Sequence, residues 1–347
     1  MKKYIPLILA AILLLTGCAK AETAPKTKIL ESGSSKEETK PEVSEETPSE
    51  EPEEETASEE TLPFSEFKNL QFIFSSGAGG WATYLNIHED GSFTGEYFDG
   101  EMGSTGEDYP NGTEYRCDFT GQFAKPIKIF DNIYSMKIES INYEKIVGTE
   151  EVKDGIKYIY DTAYGLDGAE ELQVYLPGTP LAKLPQDFID WTNYYISSES
   201  DGTTLPFLGL YNEAGKCGFS SYDLVESVSA FVSGSEENSA RIKESLENES
   251  LSQGEMNERA QQMYEDWDYT LNYVWNSLKK VLPEEAMSKL LTEQREWIAS
   301  KEQAVKEAGA EFEGGSLQFF AENHKAAELT QNRVYELMEY FNVTVQP

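Results

Sequence analysis

The stretch SQGEMNERAQQMYEDWDYTLNYVWNSLKKV, Ser252 to Val281, decides how the last third of the chain folds. Ser252 followed three residues later by Glu255 is a capping box, in which each side chain satisfies a backbone N–H of the other. Behind it come Met256, Ala260, Met263, Trp267, Leu271, Val274, Leu278 and Val281, at intervals of 4, 3, 4, 4, 3, 4 and 3. That spacing places all eight on one face of a helix about seven turns long.

Working outward, Pro283 is suited to the first turn of a second helix. Its stripe runs through Met287, Leu290, Leu291, Gln294, Trp297, Ile298, Lys301, Ala304 and Ala308, with polar breaks at Gln294 and Lys301. Gly314-Gly315-Ser316 interrupts the chain, and Ser316 is placed to cap a third helix carrying Phe320, Ala327, Val334, Leu337 and Phe341. Three amphipathic helices with short breaks predict an antiparallel three-helix bundle over residues 251–347. Upstream, residues 222–250 read as a linker with local helix, because Gly234-Ser235 interrupts the pattern.

Residues 63–221 carry a different period. Leu70 to Phe74 and Trp81 to Ile87 have β composition and flank a Gly-rich break. Asp90-Gly91 and Asn111-Gly112 are hairpin-turn dipeptides, and further strands are expected within 135–141, 158–164 and 171–175. The expectation is an antiparallel β barrel or sandwich, so the whole is an α+β protein of two domains. Trp81, Tyr84, Tyr97 and Phe98 are read either as sugar-stacking rings or as core and cross-strand pairs. Asp90, Asp99, Glu101 and Asp108 lack the spacing of a compact calcium loop.

The beginning of the chain is an address. Met1-Lys2-Lys3 precedes an apolar run, Tyr4 to Leu15, too short to span a bilayer. It ends in Leu15-Thr16-Gly17-Cys18, which resembles the bacterial lipoprotein lipobox. The resemblance implies a signal peptide over 1–17, lipidation of Cys18, and a protein held on the extracytoplasmic face of the cell membrane by acyl chains. Residues 18–62 follow as an acidic tether. Between Pro41 and Glu60 there are ten glutamates and no basic residue, too little apolar material to offset chain entropy.

Over all 347 residues, 63 acidic against 28 basic side chains give a net charge of −35, which speaks against a nucleic-acid partner. Two histidines and three cysteines leave little from which to build a zinc site or a nucleophile with its base. The chain therefore reads as a binding protein rather than an enzyme, with no cofactor. Cys117 and Cys217 remain after lipidation, and they stand either as a disulfide or as two free thiols.

The helical region holds Asp268 with Leu271-Asn272, Leu290 with Glu293-Gln294-Arg295-Glu296-Trp297, Gly314-Gly315-Ser316, and Ala327-Glu328-Leu329-Thr330 with Arg333 and Leu337. In the order and spacing of these residues it resembles the LprI-type lysozyme-inhibitor family. Two cysteines common in the family are replaced here by Val305 and Lys325. The resemblance implies a binding module whose partner is lysozyme or another cell-wall component. It puts forward Arg295, Trp297, Gly314, Gly315 and Arg333 as interaction positions. For both arginines the competing reading is ion pairs within the bundle, and for Trp297 a place in the core. A structural or glycan-presenting surface lipoprotein without inhibitory activity is the alternative function.

Overall fold

The computed structural model describes residues 60–199 and 202–341. The leader, Cys18 and nearly all of the tether lie outside the described residues. Strands β1 (Leu70–Ser75), β2 (Trp81–Ile87), β3 (Ser92–Glu101) and β4 (Thr113–Phe123) form an antiparallel meander. β5 (Ile127–Phe130) and β6 (Ile133–Tyr143) make a hairpin, as do β7 (Glu150–Lys153) and β8 (Ile156–Tyr160). β9 (Glu171–Tyr175), helix α1 (Gln186–Glu199), β10 (Gly209–Asn212) and β11 (Cys217–Asp223) complete the β region.

The ring β1-β2-β3-β4-β6-β9-β10-β11 closes because β11 pairs with β1, and every pairing in it is antiparallel. Of the expected alternatives, barrel or sandwich, the fold is an eight-stranded barrel. β4 divides its outer edge. Thr113–Arg116 pairs in parallel with β8, while Phe119–Phe123 pairs antiparallel with β6. Closure leaves those ring strands no edge for another chain to pair with.

The barrel is filled, not hollow, where its aromatics meet. Phe72, Phe74, Phe93, Phe119, Phe123 and Phe219 are all buried in one cluster. Small and large residues alternate across β3 and β4, with Gly95 opposite Phe119 and Phe93 opposite Gly121. A Cβ at Gly95 would collide with the Phe119 ring, and one at Gly121 with the Phe93 ring. These two glycines make room for the phenyl rings. Outside the barrel, α1 lays Phe188 against Gly209 and Gly218, with Tyr175 and Tyr211 around it.

The helical half contains α2 (Leu224–Asn248), α3 (Gln253–Val281), α4 (Glu284–Ala310) and α5 (Gln318–Met338). The three expected helices are present and a fourth joins them. Residues 222–250 are not a linker: α2 runs unbroken for 25 residues through Gly234 and Ser235. Asp223 ends β11 and caps α2, accepting from the N–H groups of Val225 at 2.7 Å and Glu226 at 3.1 Å. Strand thus passes into helix with no intervening loop. The Ser252–Glu255 capping box is formed as expected. Two boundaries differ. Pro283 sits at the N-cap of α4 rather than in its first turn, and α5 begins after Leu317 with no side-chain cap, so Ser316 does not cap it. α3 packs between α2 and α5, and α4 packs on α5. Trp267, Val274, Leu278, Leu290, Val334 and Leu337 fill the shared core.

Candidate functional site

The residues that carry the family motif converge inside the helical half. Arg333 of α5 is 7% exposed. Its Nε donates to Oε1 of Gln294 on α4 at 2.8 Å, its Nη1 pairs with Glu336 at 2.7 Å, and its guanidinium lies 6.0 Å from the Trp297 ring. Half-buried Trp297 also receives Lys301, whose ammonium is 5.2 Å from the ring. Lys301 then reaches α3, donating to the Tyr264 hydroxyl at 3.1 Å and standing 3.7 Å from Asp268. Charge-assisted hydrogen bonds and cation–π contacts therefore tie α3, α4 and α5 together across one polar seam. Arg333 is thus largely buried and makes the ion pair within the bundle that was its competing reading. Lys301, read only as a polar break, is a principal member of the seam.

Arg295 points the other way. It is exposed on α4 and has no ion pair among the described residues. It does not share a site with Trp297 and Arg333, although one sequence motif holds all three.

Gly314 and Gly315 form the corner between α4 and α5. Gly314 has φ of +72°, a conformation that costs a side-chain-bearing residue, and its N–H donates to Oε1 of Gln318 at 3.0 Å. The Gly315 N–H donates to the Phe312 carbonyl at 2.8 Å, and a Cβ at Gly315 would lie 3.1 Å from that oxygen. Beside this corner lies an apolar groove of about 450 Å³, lined by Ala308, Phe312, Leu317, Phe320, Ala321 and His324. The His324 ring stacks on Phe320 at 5.6 Å. Glu307, Glu311 and Lys325 border it. Phe312, Leu317 and Phe319 are 38%, 40% and 44% exposed, so the tip offers apolar surface framed mainly by carboxylates.

Elsewhere the sequence candidates resolve as structure. Cys117 and Cys217 are free and buried, so the disulfide alternative is not formed. Burial pushes the Cys117 thiol up to about 12 and the Cys217 thiol to about 11, leaving both protonated and inert at neutral pH. Trp81 meets Phe74 and Tyr164 edge-on at 5.0 and 5.1 Å, Tyr84 stacks on Phe98 at 6.3 Å, and Tyr97 is buried. Among the described residues no group of His, Cys, Asp and Glu is arranged to hold a metal ion, and no helix is long and apolar enough to cross a membrane.

No curated protein and no solved structure matches the chain. A family does: residues 246–337, which take in α3, α4 and nearly all of α5, match the family model described as Lysozyme inhibitor LprI, and the helical half of this protein is similar to that family.

Proposed function

We propose that this protein is a lipid-anchored extracytoplasmic binding protein whose helical half inhibits a lysozyme or another cell-wall hydrolase. The observation that carries the reading is the LprI match over residues 246–337. The lipobox ending at Cys18 and the acidic tether support the location, since together they would hold the folded part outside the membrane. Charge supports the partner. Lysozymes are generally cationic, and a net charge of −35 attracts cations over long range and raises encounter rates.

The contact surface we assign is the α4–α5 tip. Its apolar groove supplies desolvated area, and Glu307 and Glu311 on its border complement a basic partner. Arg295, the exposed motif arginine, lies about 18 Å along α4 from Glu307 and is therefore a second contact candidate outside this tip.

A muramidase assay with the purified full chain tests this. Inhibition is expected at near-equimolar protein, weakening as salt rises, and reduced at least tenfold by the double substitution Phe312→Asp, Leu317→Asp. An unaltered hydrolysis rate at large excess removes the inhibitor reading. The anchor is tested separately. Cys18→Ser should give an uncleaved precursor or a protein released to the medium, and membrane retention with a processed N-terminus contradicts it.

A further inference from the structure

A cleft of about 1190 Å³ lies between the barrel wall and the helical half. One wall is the outer face of β3, β4 and β6, where register aligns polar side chains into two straight rows. Ser92 stands opposite Gln122, and Gln122 opposite Ser140; Thr94 stands opposite Thr120, and Thr120 opposite Asn142. The row between them, Phe93 and Gly121, turns into the barrel core. Six outward positions on three neighbouring strands thus hold only hydroxyl and amide groups. In a chain of which 26% of residues are charged, that run is unusual, and it stops at once: the next outward pair is Glu96 opposite Asp118.

Part of this grid is already engaged. The Ser92 hydroxyl donates to Asp90, and the Gln122 amide to the carbonyls of Asp90 and Phe123. Thr94, Thr120, Ser140 and Asn142 are exposed, and their side chains make no hydrogen bond among the described residues. The opposing wall is the α3–α4 corner with the segment after α5. Leu282, Met287 and Tyr340 bring apolar surface to it, Tyr340 being 39% exposed. Charged side chains also line the cleft: Lys68 and Glu89 form an ion pair at 3.0 Å, Asp90 accepts from the Ser92 hydroxyl, and Lys279 and Lys280 stand on the helical wall.

The separation of the walls is fixed by a polar latch. Lys280, near the end of α3, donates to Oε1 of Gln71 on β1 at 3.2 Å and lies 5.2 Å from the Tyr84 ring of β2. The Tyr222 hydroxyl of β11 donates to the same Gln71 oxygen, while the Gln71 amide donates to Asn86 at 3.0 Å. Clefts at the junction of two substructures with a few convergent polar groups are the usual form of small-ligand sites.

We infer that this cleft binds an uncharged oligosaccharide. Rows of hydroxyls and amides on strands about 4.8 Å apart present alternating donors and acceptors to ring hydroxyls. Tyr340 and Met287 offer the flat apolar contact that the C–H faces of a sugar need. Against the grid itself a charged group is disfavoured, because those six positions supply no compensating charge. The site is separate from the α4–α5 tip and does not depend on hydrolase inhibition.

The test uses the purified full chain and a β-linked N-acetylglucosamine tetrasaccharide, by titration calorimetry and by thermal unfolding. Saturable binding is expected, with affinity reduced at least tenfold in the Thr94→Val, Thr120→Val variant. Valine keeps the β-branched shape and removes the hydroxyl, so thermal unfolding without sugar should not change. Asn142→Ala, on the adjacent strand, provides a second variant and should weaken binding independently of the threonines. Absence of binding at millimolar sugar, or equal affinity in the wild type and both variants, overturns the proposal.

Discussion

At the residue scale, Arg333 is a motif position held by partners inside the bundle. Its guanidinium is buried, so Arg333→Ala should cost about 1–3 kcal/mol, mainly by leaving the Gln294 amide oxygen without its donor. Arg295→Ala, on an exposed position, should stay within about 0.5 kcal/mol of the wild type. Urea denaturation of the two variants checks the contrast, and equal stabilities would contradict the seam. The thiols give a second residue-scale outcome. Cys117 and Cys217 are buried with raised pKa values, so a thiol reagent at pH 8 should modify neither in the native protein and both on unfolding. Motif spacing in the sequence grouped Arg295 with Trp297 and Arg333. It did not show that Arg295 faces solvent while Arg333 faces inward, because that depends on which helix each side meets.

At the scale of elements, α2 carries the clearest consequence. Gly234 lies inside the helix with nothing within 4 Å of where its Cβ would be. Gly234→Ala should therefore stabilise the protein by about 1 kcal/mol, since alanine removes backbone freedom from the unfolded chain without a clash. A linker at this position would make the change neutral, so the unfolding midpoint separates the two descriptions. The helix escapes sequence reading because its buried stripe is partly polar. Val228, Val232, Ser235, Ser239 and Ile242 face inward, and the Ser235 hydroxyl bonds the Thr270 hydroxyl of α3 at 2.7 Å. Two serines after Gly234 interrupt the apolar period of α2, whereas α3 opens on a capping box and keeps a buried apolar residue every three or four positions from Ala260 to Leu278. The strands were legible as strands, but their order was not. The split edge of β4, the closing β1–β11 pair and the grid in the cleft all depend on register between segments far apart in sequence.

For the whole molecule, electrostatics sets how stability responds to acid. Partial burial, then the charge of Glu101, raises the carboxyl of Asp99 above its ordinary 3.8, and partial burial, then Glu144 and Glu96, does the same for Asp118. A raised folded-state pKa means the native protein binds more protons than the unfolded chain between 3.8 and the raised value. Through these two groups, stability falls as pH climbs through that window and stays lower above it. His88 acts oppositely. Burial lowers its pKa below 6.5, so its contribution is lost as pH falls through that value. The Asp99→Asn, Asp118→Asn double variant should accordingly melt above the wild type at pH 7, with the difference shrinking towards pH 4. A difference that is constant with pH would show that neither carboxyl is perturbed.

The direct passage of β11 into α2 has one further effect. With Asp223 serving both strand and helix, no swivel separates barrel from helices, and each added residue in α2 would turn everything beyond it by about 100°. Aim is thereby written into chain length. A single-residue insertion in α2, harmless in a slack connector, would here point the distal helices in another direction and tear them from the barrel they rest on.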